Sequence, residues 1–142
     1  MSNLPLAKNP LSATESNIPS IDVSNYLEHK ITNPLSCAEL LRLFYDREYG
    51  IYFDNWEKGL SVRDTTSCWR VLNEFLDAMW SKTEKPNIGD IAIIENRGPH
   101  ILINVGKGLY LQSVSPRPVK MRKIRDVVDK HFFGFYALKE KQ

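Results

Sequence analysis

What this chain lacks narrows its possibilities first. It has only two cysteines, Cys37 and Cys68, among 142 residues. Two thiols cannot build a disulfide framework or a four-thiolate metal centre; His100 has no Cys or His partner at metal-ligand spacing, and no metal or other cofactor is expected. No run of eighteen apolar residues exists, which excludes a transmembrane helix. Residues 1–17, MSNLPLAKNPLSATESN, contain no apolar h-region, so no secretory signal is expected. Charge of one sign is lacking too: 19 Lys and Arg stand against 17 Asp and Glu, a formal net charge of +2. That balance excludes a histone-like basic binder and an acidic disordered tail. What is present, 42% hydrophobic and 11% aromatic residues, supports one core in one domain.

The charge is unevenly spread. Residues 117–142 hold eight Lys and Arg against three Asp and Glu, and five of those cations fall in RPVKMRKIR. The ordinary explanation is a solvated strand face. A surface for an anionic polymer is the alternative, but no aromatic residue is interleaved with these charges, so nucleic acid is not expected as a partner.

Residues 1–20 are rich in Pro, Ser and Asn without periodicity and read as an extended arm; residues 21–142 form the domain. IDVSNYLEHKI suggests a short first helix with Ser24 as N-cap, broken at Asn33-Pro34. CAELLRLFYDREYG is a helix with Leu40, Leu41, Leu43 and Phe44 on one stripe and Gly50 after its end. DTTSCWRVLNEFLDAMW is a second, burying Trp69, Leu72, Phe75, Leu76, Met79 and Trp80. The pattern then shortens into strands at IAIIE, HILINV, LYLQSV, PVKMRKI and HFFGFYAL, with a Gly-containing turn at GKG and a helical turn in IRDVVDK. Helices followed by about five short antiparallel strands give an α+β fold with the helices packed on one sheet.

Cys37 lies at the start of a helix, where unpaired backbone N–H groups and the helix dipole favour thiolate. Cys68 sits beside a large apolar stripe and reads as core. A nucleophilic thiol needs a base, and there are three histidines. His29 lies in a weakly defined segment, and His131 heads the last strand. His100 opens a strand straight after a turn, where a sheet would hold it rigid yet accessible. Gln112, on the strand paired with that of His100, is placed to orient the base.

The order Cys on a helix N-terminus, His on a strand and a polar residue on the next strand resembles the NlpC-type cysteine peptidases, papain-like enzymes of cell-wall degradation. NPLSCAELLRLFYDREYGI resembles a segment of their bacteriophage tail-tip branch. IGDIAII resembles the family's Pro-Gly-Asp strand, PHILINVGKGLYLQSV its His-bearing strand, turn and following strand, and FGFYAL its closing strand. The resemblance covers roughly residues 22–138.

It implies a papain-like fold with Cys37 as nucleophile, His100 as general base and Gln112 as the orienting group. It implies supporting roles for Tyr26, eleven residues before Cys37, and for Ser36 near the oxyanion. The implied substrate is the stem peptide of peptidoglycan, hydrolysed through a Cys37 thioester. The implied setting is a phage tail tip in the virion, where the N-terminal arm contacts other tail proteins and no membrane insertion is needed.

Two departures stand out. Ser36 replaces the family's Asp before the nucleophile, and Glu39 replaces a Gly two residues after it, placing a negative charge near the thiol. The alternatives are therefore an inactive structural component of the tail tip, or an acyltransferase or deamidase on the same scaffold.

Overall fold

The structure, a computed structural model, describes residues 18–27, 35–114, 117–128 and 131–139. Most of the arm expected at 1–20, and the Asn33-Pro34 break, therefore lie outside the described residues. Among the described residues four helices and six strands follow in chain order: α1 (Ser24–Leu27), α2 (Ser36–Tyr49), α3 (Thr65–Met79), β1 (Trp80–Thr83), β2 (Ile91–Glu95), β3 (Pro99–Gly106), β4 (Leu109–Gln112), β5 (Lys120–Lys123), α4 (Ile124–Val127) and β6 (Phe132–Leu138). The strands form one sheet in the order β1-β6-β2-β3-β4-β5, every neighbouring pair antiparallel. The chain is thus α+β, as its element order suggested.

Side-chain alternation sorts the sheet into two faces. Ile91, Ile93, Ile101, Ile103, Val105 and Leu111 join Leu40, Leu41, Phe44, Tyr45, Leu72, Phe75 and Leu76 of α2 and α3 in the main core. Ala92, Ile94, Leu102 and Tyr110 point the other way and pack with Ile124, Phe132 and Phe135. In α2, Leu40, Leu41, Phe44 and Tyr45 are wholly buried. The Tyr45 hydroxyl donates to the Gly89 carbonyl and that of Tyr49 to the Ile88 carbonyl, at 2.5 and 3.2 Å. These bonds fix the C-terminal half of α2 on the turn leading into β2.

Gly50 closes α2 in the left-handed region at φ 65°, and its N–H bonds back to the Asp46 and Tyr45 carbonyls. A Cβ there would meet no atom within 4 Å. The cost of Gly50→Ala is therefore conformational alone, and we expect about 1 kcal/mol, read as a lower urea midpoint. An unchanged midpoint would mean that the helix end relaxes out of the left-handed conformation.

Three expectations need correction. The sheet has six strands, not about five. The extra one, β1, begins at Trp80, which the helical stripe had claimed. Trp80 is extended (φ −125°, ψ 158°) and pairs with Leu138. Its indole still reaches Phe75, Phe53 and Tyr45, so an apolar residue at that spacing satisfied both periodicities. The third concerns Ser24, which is the first residue of α1 rather than its cap. Asp22 Oδ1 accepts from both its N–H and its hydroxyl.

Candidate active site

The first residues of α2 meet the sheet where β3 begins and β4 ends. Cys37 is the second residue of α2. Ser36, just before it, donates its hydroxyl to the Ser113 carbonyl at 3.1 Å, tying the helix start to the end of β4. A cavity of about 260 Å³ opens at this junction. It is walled by Leu35–Cys37, by Asn96 and Arg97 of the β2–β3 connection, by Pro99 and His100 at the start of β3, by Ser113 and Val114, and by Val62. Cys37 and His100 thus line one cavity although they are far apart in sequence. A larger cavity of about 590 Å³ lies between the ends of β1 and β6, but its lining of Lys82–Glu84 and Phe132–Phe135 contains no cysteine or histidine.

The turn leading into β3 is held by Glu95 at the end of β2. Glu95 accepts the Gly98 N–H on Oε2 and the Trp69 indole on Oε1, at 2.8 and 3.0 Å. Arg97, in this turn, has φ 59°, a left-handed conformation that non-glycine residues seldom adopt.

His100 and Gln112 are both more than nine-tenths buried. Ile103 pairs with Leu111, so Gln112 falls opposite Leu102 and diagonal to His100 on the same face. Gln112 hydrogen-bonds to the imidazole. The ring's Nε2 is buried without a hydrogen-bond partner. Burial pushes the imidazole down to about 4, opposed by the Gln112 bond and reinforced by the Arg122 cation. His100 is therefore a neutral base at neutral pH.

Cys37 is also buried, which pushes its thiol up to about 11; the Glu57 carboxylate adds to this. Backbone N–H groups of Ile101, Ala38 and Cys37 itself work the other way by favouring thiolate. The Ile101 contact sets the sulfur against the residue that follows His100. At rest the pair is a neutral thiol and a neutral imidazole, not an ion pair. The negative charge expected from Glu39 comes instead from Glu57, in the loop after α2.

Tyr26 is not part of this cavity. Its hydroxyl donates to Glu48 at 2.6 Å, and Arg47 lies over its ring. Both partners belong to the last turns of α2, about 16 Å along the helix from Cys37. Cys68 is buried, donates to the Ser61 carbonyl at 3.4 Å, and meets Cys37 only across a small apolar cavity whose lining contains no histidine. His131 is exposed, and His29 lies outside the described residues.

Sequence reasoning missed Arg97, Ser113, Glu57 and Arg122. Only Arg122 left a signal, as part of the basic run. Among the described residues no group of three or more His, Cys, Asp or Glu is placed to hold a metal, and no helix is long and apolar enough to cross a membrane.

Compared with known proteins, the chain matches no protein-family model, no curated protein and no solved structure.

Proposed function

We propose that the chain is a papain-like cysteine peptidase of the NlpC type, cleaving stem peptides of peptidoglycan as part of a phage tail tip. One observation carries this: a helix-start thiol and a buried, neutral imidazole line the same cavity, with an amide hydrogen-bonded to that imidazole. The substrate and the setting rest on the sequence resemblance.

In the reaction His100 takes the Cys37 proton as the sulfur attacks the peptide carbonyl. Moving the proton within the step avoids forming a free thiolate, which burial makes costly here. The Cys37 N–H, in the first turn of α2, donates to the oxyanion. The imidazolium passes its proton to the leaving amine, which departs as the thioester forms. Water then attacks the thioester, giving its proton to His100; the acid leaves and the thiol is restored.

A tail-tip component without catalysis is the second reading. The raised thiol and the Ser36 and Glu39 departures favour it.

Release of new amino groups from purified peptidoglycan decides between them. The wild-type chain and Cys68→Ala should release them, and Cys37→Ala should fall by at least about a thousandfold. Folded proteins that release none in all three cases, with Cys37 alkylated no faster than Cys68, would favour the non-catalytic component.

A further inference from the structure

The basic run at 117–125 has no role in the reaction above, yet one of its cations turns inward. Arg122 lies opposite Tyr110 in the β4–β5 pairing, and Lys120 opposite Gln112. Arg122 and Gln112 are therefore diagonal neighbours on one face. Arg122 Nη1 donates to Gln112 Oε1 at 3.3 Å, and Nη2 donates to the Asp126 carbonyl at 2.6 Å. The second bond anchors the guanidinium at the end of β5, so the first is made from a fixed position.

A glutamine amide can turn over and exchange its oxygen for its NH2 group. With the oxygen toward an imidazole it accepts that ring's N–H. With the NH2 group there it donates to a bare ring nitrogen. The two orientations select opposite tautomers of the histidine. A guanidinium, however, has donors and no acceptor. Held against Arg122, the amide keeps its oxygen on the side that the guanidinium and the imidazole share.

We propose that Arg122 is a positioning residue for the base: by binding Gln112 Oε1 it fixes the amide orientation, and through it the tautomer of His100. The proposal rests on His100 being the base for Cys37. Arg122 also acts on the ring through its charge, adding to burial in holding it neutral. Other charged or titratable groups among the described residues lie around the ring. Cys37 and Arg97 share its cavity. Tyr110 shares its face of the sheet. Glu95 and His131 line a separate cavity of about 220 Å³ with Arg122, and Glu95 is occupied by Gly98 and Trp69.

The test is nitrogen NMR of the full chain labelled at histidine, without substrate. Wild-type His100 should show one tautomer and a titration midpoint near 4. In Arg122→Gln, whose side chain offers both donor and acceptor, the tautomers should mix and the midpoint should move part of the way toward 6.5. Arg122→Lys, a donor-only cation, should restore most of both, and Lys123→Gln should change neither. Comparable amounts of two tautomers in wild type would overturn the proposal, a result that requires no variant to fold. So would a folded Arg122→Gln chain with an unchanged ring, or an Arg122→Lys chain indistinguishable from Arg122→Gln. None of these readouts involves turnover, so their failure is separable from failure of the peptidoglycan assay.

Discussion

Arg42→Ala is expected to lower the unfolding free energy by about 3–5 kcal/mol in urea denaturation. Arg42 Nη1 lies 2.5 Å from Glu57 Oε1, with the Glu57 side chain 2% exposed and that of Arg42 13%. The other Glu57 oxygen is buried without a hydrogen-bond partner. Removing the guanidinium would leave a carboxylate with no counter-charge and little water. The carboxylate must then ionise at a cost, take up a proton, or drag its loop open. Replacing both residues together, Arg42→Met with Glu57→Leu, should recover most of the loss, because the penalty belongs to the orphaned charge rather than to the missing pair. A single-variant loss below about 1 kcal/mol would show that water reaches Glu57. The pair also bears on the cavity. It secures the loop 51–64, which brings Trp56 to stack on Phe75 at 4.8 Å and supplies Val62 to the cavity wall.

Acid should weaken the fold through His100. The folded midpoint of about 4 lies below the ordinary 6.5, chiefly because the ring is buried. The unfolded chain therefore takes up a proton first as pH falls. The stabilisation is fully present above 6.5 and is lost as pH falls through 4. Between pH 7 and pH 4 the wild-type chain should lose about 3 kcal/mol more than His100→Gln, which has no such titration. Urea denaturation of both proteins at the two pH values measures this. A difference under 1 kcal/mol would mean that the imidazole is hydrated. Under the proposed mechanism the same depressed midpoint lets His100 accept a proton well below pH 6, so the acid limb of any peptide hydrolysis should fall near 4.

Much of the site could be read from residue order. Alternation fixed which strand residues share a face, so His100 and Gln112 could be paired before their strands were seen. The glycine at position 50 and the stripe through Leu40, Leu41 and Phe44 located α2, and hence placed Cys37 at its start. Tyr26 could not be placed in the same way. Spacing gives its distance along the chain but not which end of α2 it meets, and its hydroxyl goes to Glu48 at the far end. β1 was hidden because WSKT has one large apolar residue, and only pairing with β6 makes it a strand. Arg122 looked like one cation in a solvated run, because its role depends on the β4–β5 register, which no local pattern encodes. Glu57 reads as an ordinary loop acid, and only tertiary packing brings Arg42 and the thiol to it.

The strand order carries a consequence for how this molecule is assembled. β2 to β5 form a meander of near neighbours, but β6, late in the chain, lies between β1 and β2. Until it arrives, β1 has no partner, and β2 offers a free edge bearing Ile91 and Ile93. Such an edge is a template for pairing with another chain. During synthesis Cys37, His100 and Gln112 would all emerge before the sheet could close. The topology therefore predicts that insertion of a distant strand, rather than folding of the meander, is the slow step. Damage near Gly134 or Phe135 would be felt as clumping of incomplete chains before any effect on the cavity beside Cys37 and His100 could be measured.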